Sequence, residues 1–306
     1  MEKKEFKILC IDGGGARGIY PAYILKRIQK DLKINFLEEF DLIAGTSTGS
    51  IIAAGIASEI PLETICNLYE NLTKNIFKPR KLPIRGFRCS KYSSENLKEL
   101  LEQNFGNKKM KEIKTKLLIP ASDLGNGGVY VHKTPYTKEF VRDGDTLVKD
   151  AVLSSCMAPT YFDPEVIKNG IGEEYLLADG GIWANNPSML ALVEALNPKR
   201  LNQKLENIKV LSLGTGTTKR FYDLERKKWG LKDYKTEIVD LIMGLQSTSP
   251  HNMLSLLLSE DNYLRINFKR ETKLPLDVYD KQLKSIAGND YTYNYKKIEK
   301  FFKGEK

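Results

Sequence analysis

The sequence contains few of the residues that build metal sites and covalent frameworks. It has only four cysteines and two histidines among 306 residues. The cysteines are far apart and form no C-x-x-C pair, which argues against a zinc site and against a dense disulfide framework; they are Cys10, Cys66, Cys89 and Cys156. We therefore expect reduced thiols, as in cytoplasmic proteins, and neither a bound metal nor a cofactor.

Long hydrophobic runs are also missing. No stretch approaches the ~18 consecutive apolar residues that a membrane-spanning helix requires. The charged N-terminus, residues 1–5, leads into only a short apolar run, unlike a secretory signal. The sequence thus predicts a cytoplasmic protein, and a lipid substrate would have to be reached from the water side of the membrane.

Acidic residues are outnumbered, 39 against 48 Lys and Arg, so the formal net charge is +9. Such an excess favours anionic partners, either lipid headgroups or nucleic acid. No zinc-finger spacing, aromatic RNA-binding motif or basic-region heptad is present, so nucleic acid is not an expected partner. Residues 78–91 carry six basic and no acidic side chains among apolar residues. Either a flap that meets an anionic membrane or a solvated loop would have this composition.

Strand and helix patterns alternate in the first part of the chain. Apolar runs at 6–11 and 40–44 each end in a glycine-containing turn, and helix-forming segments follow at 20–32 and 51–57. This alternation predicts an α/β fold with a mainly parallel sheet covered by helices on both faces. Further strands are predicted at 117–121, 129–132, 175–178 and 210–213, and helices at 61–75, 94–105 (capped by Ser94), 188–196, 237–260 (interrupted at Ser249-Pro250) and 295–302. We see no repeat and no linker, and expect one domain of residues 1–306 whose oligomeric state stays open.

The pentapeptide Gly45-Thr46-Ser47-Thr48-Gly49 matches G-x-S-x-G. In that motif a strand turns so sharply into a helix that the central serine is exposed as a nucleophile, and the flanking glycines avoid collisions in the turn. Its position between an apolar strand and an apolar helix is the context that the motif requires. We interpret Ser47 as a nucleophile, against the alternative of a phosphate-binding or structural turn.

A second glycine-rich segment, Gly13-Gly14-Gly15-Ala16-Arg17-Gly18, also spells the dinucleotide-binding pattern G-x-G-x-x-G. A nucleotide-binding oxidoreductase is therefore an alternative. That pattern expects an acidic residue at the end of the next strand, where this chain has the serine motif instead. The better interpretation is an oxyanion loop, whose backbone N–H groups stabilise the charge that forms when Ser47 attacks a carbonyl, with the N–H of Thr48 as a further donor.

A serine nucleophile needs a base, and the sequence offers few candidates. His251 follows Ser47 and Asp179 in the order Ser, Asp, His of many α/β hydrolases, so a triad esterase remains an alternative. No strand end precedes His251, however, and His132 comes before the aspartate. Asp179-Gly180-Gly181 closes an apolar run and would place a carboxylate at the end of a strand, although Asp-Gly-Gly is also a common turn.

Together, Asp12-Gly13-Gly14-Gly15-Ala16-Arg17-Gly18, Gly45-Thr46-Ser47-Thr48-Gly49 and Asp179-Gly180-Gly181 resemble the three signature blocks of patatin-like phospholipases. The likeness runs from about residue 6 to 216, with residues 217–306 as a helical C-terminal part of the same domain. It implies a three-layer α/β/α fold and a lipid acyl hydrolase in which Ser47 and Asp179 form a dyad without histidine or metal. Gly14, Gly15 and Arg17 would line the oxyanion loop.

Within that family, the segments 40–44 and 179–187 are similar to those of bacterial antiphage phospholipases that a cyclic dinucleotide activates. The resemblance implies a membrane phospholipid substrate and a cyclic dinucleotide activator. A lipid-binding module with an inactive site is the remaining alternative, and labelling of Ser47 by a fluorophosphonate would distinguish it from an enzyme.

Overall fold

The computed structural model describes residues 5–80, 89–218, 237–271 and 275–304. The strands of the described chain are β1 (Phe6–Ile11), β2 (Leu42–Gly45), β3 (Lys116–Asp123), β4 (Gly128–Lys133), β5 (Glu165–Lys168), β6 (Glu174–Asp179), β7 (Ile208–Leu213), β8 (Thr217–Thr218), β9 (Tyr263–Ile266) and β10 (Lys269–Arg270). The α-helices are α1 (Ile19–Leu32), α2 (Phe36–Glu39), α3 (Thr48–Ala57), α4 (Leu62–Asn75), α5 (Glu95–Phe105), α6 (Val148–Ser155), α7 (Gly181–Ala184), α8 (Ser188–Leu196), α9 (Glu237–Leu257) and α10 (Gln282–Lys303).

Eight strands join in one sheet of order β5-β6-β3-β2-β1-β7-β9, and β4 pairs with β3 off this path. The pairs from β3 through β2, β1 and β7 to β9 are all parallel, whereas β4, β5 and β6 pair antiparallel. The predicted mainly parallel sheet is confirmed. It places the ends of β1 and β2 side by side, since Ile11 pairs with Gly45.

The central parallel strands β1, β2 and β7 are almost entirely buried because helices cover both faces of the sheet there. In β1, Leu9 and Ile11 belong to a core cluster with residues of α1, α3 and α4, whereas Ile8 and Cys10 belong to a second cluster with residues of α8 and α9. Successive side chains of a strand point to opposite faces, so these two clusters lie on opposite sides of the sheet. The α/β fold with three layers is therefore confirmed.

The C-terminal part contains more β-structure than the sequence suggested. We expected residues 217–306 to be helical, but β9 extends the main sheet by pairing with β7, and β8 pairs with β10. The last helix is also longer than predicted, because its buried side chains pack on the first core cluster over its whole length. Short strands such as β9 depend on a neighbouring strand, which periodicity alone does not reveal.

The predicted interruption at Ser249-Pro250 is wrong, since α9 runs through Pro250 without a break. A proline inside a helix leaves the carbonyl four residues earlier without its usual donor. Here that carbonyl, of Gln246, accepts a hydrogen bond of 3.3 Å from the N–H of Asn186. Ser94 was predicted to cap α5, but its hydroxyl instead donates to Glu165.

Candidate active site

Ser47 lies at the sharp turn between β2 and α3. Its backbone angles, φ 52° and ψ −125°, are in a region that L-residues rarely adopt. Glycine is required beside it, because a side chain at Gly49 would bring its Cβ within 2.2 Å of the Ile11 carbonyl oxygen. The chain thus has the strand, turn and helix geometry in which a serine side chain is presented at the end of a sheet.

Hydrogen bonds hold the backbone of Ser47 from both sides. Its N–H donates to the hydroxyl of Ser155 at 2.9 Å, and that hydroxyl donates to the Pro120 carbonyl at 2.6 Å. The Ser47 carbonyl accepts a bond of 2.6 Å from the Ser50 hydroxyl. The strained turn is therefore supported by α3, α6 and β3 together, and the direction of the Ser47 side chain does not depend on that side chain's own contacts.

Asp179 lies beside this turn because β6 fills the place in the sheet that β2 leaves. β2 pairs with β3 only as far as Leu118, and then the chain turns away at the serine. β6 pairs antiparallel with the next part of β3, so that Asp179 stands opposite Ala121. The aspartate is therefore at the end of an antiparallel strand, and sequence patterns do not show which strand takes this place.

The carboxyl of Asp179 is almost completely buried, with 1% of the residue exposed. Its Oδ1 accepts a hydrogen bond of 2.6 Å from the Gly181 N–H, whereas Oδ2 has no hydrogen-bond partner among the described residues. Burial raises the pKa of Asp179 to about 7, against smaller opposing effects of Ser47 and the Gly181 N–H. The carboxyl thus exchanges a proton near neutral pH, as a general base should.

The glycine loop follows β1 as a short 3₁₀ turn, Gly15–Gly18. Gly15 has a φ of 58°, and a Cβ there would lie 2.1 Å from the Leu276 carbonyl oxygen. The same carbonyl accepts a hydrogen bond of 2.7 Å from the N–H of Ala16. The segment around Leu276 therefore fixes the loop from the C-terminal part of the chain, at a contact that admits only glycine.

The backbone N–H groups of Gly14, Gly15 and Thr48 have no acceptor among the described residues. Thr48 is the first residue of α3, where a helix leaves its N–H groups available to an outside acceptor, and such N–H groups are suited to a negatively charged oxygen. Gly15 and Thr48 line the same cavity as Ser47 and Asp179. By contrast, the N–H of Gly13 already donates to the Asn185 carbonyl, and Gly18 packs against Thr48.

Arg17 lies behind the loop and is not among the residues that line the Ser47 cavity. Its Nε donates to the Gly14 carbonyl at 3.0 Å, which orients the peptide that follows Gly14. Its side chain lines a neighbouring cavity, together with Asn185 and Thr217. The contribution of Arg17 to the loop is thus to hold its backbone.

A buried ion pair holds the residue that directly precedes the glycine loop, and no sequence pattern predicted it. The guanidinium of Arg265, on β9, donates to both oxygens of Asp12 at 2.7 and 2.6 Å. Ser247, on α9, donates to Asp12 at 2.5 Å. Asp12 directly precedes the first glycine, so β9 and α9 both act on the position of the oxyanion loop. An Asp and an Arg that are 253 positions apart carry no recognisable spacing.

The cavity in front of Ser47 is strongly apolar. Besides Gly15, Ser47, Thr48 and Asp179, it is lined by Ile51, Ile76, Phe77, Leu97, Cys156, Ala158, Tyr161, Phe162, Met243 and Leu276. Such a lining favours a hydrocarbon chain over a polar substrate. No sequence motif marks these lining residues, because they come from several helices and loops and share only their apolar character.

Neither histidine lines this cavity. His251, on α9, contacts the Tyr263 hydroxyl through Nδ1 at 3.1 Å and lines a different cavity with Arg265. His132, on β4, is fully buried against the Ser154 hydroxyl, at 2.9 Å, and burial lowers the pKa of its imidazole to about 4. Asp179 is therefore the carboxyl that shares the cavity with Ser47, and the cavity's thiol and phenol, on Cys156 and Tyr161, have pKa values that burial raises.

The glycine loop also differs from an open dinucleotide site. The close approach that Gly14 and Gly15 allow is to the protein itself, because side chains there would collide with Thr215 and with Leu276. Within residues 5–80, 89–218, 237–271 and 275–304, no group of three His, Cys, Asp or Glu side chains could hold a metal ion. In the same ranges, no helix has the length and apolar character needed to cross a bilayer.

Most of the basic segment 78–91, namely residues 81–88, lies outside the described residues. At its described ends, Arg80 donates to Asp163 at 2.6 Å, and Lys91 forms an ion pair with Asp277. These two cations are therefore partly neutralised by acids elsewhere in the chain.

The fold and the elbow at Ser47 are those of hydrolases with a nucleophile at the end of a parallel sheet. A sequence profile described as Patatin-like phospholipase matches residues 9–192. The chain is 33% identical over 283 residues to a cGAMP-activated phospholipase of Pseudomonas aeruginosa (89% of this chain, 81% of that protein). It is 30% identical over 308 residues to Patatin-like protein 2 of Arabidopsis thaliana (85% and 74%), and 30% over 216 residues to a cUMP-AMP-activated phospholipase of Escherichia coli (69% and 64%).

The crystal structure of VipD from Legionella pneumophila has a similar fold, with a TM-score of 0.53, 14% identity, and coverage of 97% of this chain and 67% of that one. The profile match spans more than half of the chain, and the relatives align over most of it. The chain belongs to the patatin-like phospholipase family, and its enzymatic class is that of the lipid acyl hydrolases.

Proposed function

We propose that this chain releases fatty acids from membrane phospholipids through a dyad of Ser47 and Asp179. The observation that carries the proposal is the cavity in which the two residues meet. It joins a serine on a strained elbow, a buried carboxyl with a pKa of about 7, unpaired N–H groups and an apolar wall. Each of these features serves a different step of ester hydrolysis.

In the first half of the reaction, Asp179 takes the proton of the Ser47 hydroxyl while the serine oxygen attacks the ester carbonyl. Its Oδ2 has no other partner in the described chain, which leaves that oxygen available for the proton. The N–H groups of Gly14, Gly15 and Thr48 stabilise the oxyanion, and the loss of one such donor typically costs ~2.7 to 4 kcal/mol. As the tetrahedral intermediate collapses, Asp179 gives its proton to the leaving oxygen, and the lysophospholipid departs as an alcohol.

In the second half, Asp179 takes a proton from water, and the resulting hydroxide attacks the acyl-serine. The second tetrahedral intermediate uses the same N–H groups, and its collapse releases the fatty acid and returns the proton to Ser47. The hydrocarbon chain occupies the apolar cavity beside Phe77 and Phe162 throughout. We place this reaction at the membrane surface, which the enzyme reaches from the water side.

Labelling with a fluorophosphonate tests serine activation without knowledge of the substrate. We expect one covalent adduct on Ser47, with a rate that rises with pH through about 7 as Asp179 loses its proton. Mass spectrometry of the intact and digested protein would locate and time the adduct. Ser155, whose hydroxyl is engaged with Pro120, is the internal control. A rate without a pH step near 7, or an adduct at another serine, contradicts the dyad.

We further propose that a cyclic dinucleotide activates the enzyme, as the names of the cGAMP- and cUMP-AMP-activated relatives indicate for those proteins. A cavity beside the oxyanion loop, lined by both polar and apolar side chains, is the candidate site for such a ligand. It combines Arg17 and Asp240 with the hydroxyls of Thr218 and Thr248, for phosphates and base edges. Arg17 holds the Gly14 carbonyl, so a ligand that contacts Arg17 acts on the loop.

Replacing Thr218 and Thr248 with valine should weaken activation without loss of unstimulated ester hydrolysis. The loss of each hydroxyl removes a hydrogen bond to the ligand that is worth about 1 kcal/mol. The double variant should therefore need about 10- to 30-fold more cyclic dinucleotide for half-maximal activity. Titrations of fatty-acid release with cGAMP and cUMP-AMP measure this. Thr292→Val, on the exposed face of α10, is the matched control, and an equal response of both variants would exclude this cavity.

A further inference from the structure

Helix α9 has one buried face and one outward face. Its buried positions recur every three or four residues, at Met243, Ser247, Pro250 and Leu254. This is the period of a helix packed along one side, and the contacts run to α7 and α8. The outward face is therefore well defined over the length of the helix.

The outward face is apolar where most surface helices are charged. It carries five large exposed side chains, which we call the α9 stripe: Ile238, Leu245, Met253, Leu256 and Leu257, with exposed fractions of 37, 59, 44, 87 and 50%. These are five of the 14 exposed large hydrophobic side chains in the described chain. Serine, threonine and asparagine lie between them, and α9 contains no lysine or arginine.

The stripe belongs to the helix that forms one wall of the catalytic cavity. Met243 lines the Ser47 cavity from the inner side of α9, and Leu245 lines the neighbouring cavity that Arg17 also lines. The ester of a phospholipid lies at the boundary between headgroups and acyl chains. An enzyme that takes it from a bilayer must bring its cavity to that depth, so the surface that continues from the cavity has to be compatible with lipid. Here that surface is α9, which extends from Met243 to Leu257 over about 21 Å at 1.5 Å per residue.

We propose that the α9 stripe is the surface by which this protein docks on a phospholipid bilayer, with α9 lying along the membrane and its outward side chains among the headgroups and upper acyl chains. This inference rests on the proposed lipid substrate. An interfacial helix buries its apolar face by roughly 5–10 Å and needs no spanning length. The uncharged hydroxyl and amide groups between the apolar residues suit the headgroup region, and they provide no ion pairs for a protein partner.

The test is vesicle binding by a triple variant, Met253→Gln, Leu256→Gln and Leu257→Gln. Glutamine keeps helix propensity close to that of leucine and methionine. Each of these side chains, when partly buried in the bilayer, contributes about 1 kcal/mol to the free energy of membrane binding. The variant should therefore bind phosphatidylcholine vesicles about 100-fold more weakly in a flotation assay. Hydrolysis of a water-soluble short-chain ester should be unchanged. The control carries Leu124→Gln, Val129→Gln and Val141→Gln, which are equally exposed but far from α9 in sequence.

Salt separates this surface from the basic segment 78–91. Binding through an uncharged stripe should persist at about 1 M salt, where the Debye length is ~3 Å, whereas headgroup attraction by lysine and arginine should be lost. Wild-type binding that disappears in salt overturns the proposal in favour of the basic segment. A wild-type dimer that the triple variant converts to a monomer assigns the stripe to a second copy instead.

Two further outcomes are distinguishable. If the triple variant has a lower melting temperature and also loses hydrolysis of the soluble ester, the stripe packs within the protein and the docking proposal fails. If the wild type binds vesicles in high salt through the stripe but hydrolyses neither the soluble ester nor phospholipid, the docking surface is supported and the proposed catalytic function is wrong.

Discussion

Replacing Ser47 with alanine is expected to reduce fatty-acid release from phospholipid vesicles by about 10⁴- to 10⁶-fold, as loss of the nucleophile does in other serine hydrolases. The fold should remain intact, because the backbone N–H and carbonyl of residue 47 keep their bonds to Ser155 and Ser50. A thermal melt by circular dichroism, run beside the activity assay, separates loss of chemistry from loss of structure.

The matched control is His251→Ala, which distinguishes a dyad from a triad. The imidazole of His251 contacts Tyr263 and lies outside the Ser47 cavity, so its removal should leave the turnover within a few-fold of wild type. A loss as large as that of Ser47→Ala would mean that His251 acts as the base. Full activity of the Ser47 variant would reject the nucleophile itself.

Replacing Asp179 with asparagine is expected to lower activity by about 10⁴-fold while raising the stability of the protein above neutral pH. Asparagine can accept the Gly181 hydrogen bond through its carbonyl oxygen but cannot take the Ser47 proton. The second effect follows from the buried carboxyl, whose pKa rises from 3.8 to about 7 on folding. Removal of a group that is costly to ionise should stabilise the native state.

The difference in the free energy of unfolding between the wild type and Asp179→Asn depends on pH. Below about pH 4 the carboxyl is protonated in both the folded and the unfolded chain, so the wild type and Asp179→Asn should have similar free energies of unfolding. Between about pH 4 and 7 only the unfolded chain ionises, and the wild type loses up to ~4 kcal/mol relative to the variant. Above about pH 7 the difference should stay constant. Urea unfolding at a series of pH values measures it.

Asp143→Asn is the control, because it should change the free energy of unfolding in the opposite direction. Burial acts to raise the pKa of Asp143, but hydrogen bonds from Arg142 and Tyr130 outweigh it and hold that pKa below its ordinary value. Its replacement should therefore destabilise the protein above about pH 4, with catalysis retained. If both asparagine variants change the free energy of unfolding in the same direction at pH 8, the raised pKa of Asp179 is not the cause.

The parts of the site that the sequence predicted are those that local backbone geometry requires. Gly45 and Gly49 lie two residues on either side of Ser47, where a Cβ would come within 2.2 Å of a backbone oxygen, and Gly15 is needed at a positive φ. Such constraints act over a few residues and leave a readable pattern. The strand β1 and the helix α8 were likewise predicted within one residue of their ends, since their apolar periods and the proline before α8 are local signals.

Contacts between distant segments left no comparable pattern. Ser249-Pro250 locally predicts a helix break, and the Asn186 N–H that satisfies the Gln246 carbonyl lies far away in the sequence. The support of Asp12 by Arg265, and the apolar wall that includes Met243, come from the C-terminal part, where the resemblance was weakest. Side chains that only fill space or pair charges can come from many positions in a chain, so they produce no fixed spacing in the sequence.

By itself, the sequence determined the α/β class, the serine elbow and the glycine loop, because these depend on backbone angles and apolar periods within short segments. Only the tertiary structure decided which group meets Ser47. The pairing of β6 with β3 beyond Leu118 brings Asp179 to the serine, whereas His251 lies on α9 against Tyr263 of β9. Burial then sets the pKa of that carboxyl near 7, since desolvation depends on everything packed around a group and not on its neighbours in the chain.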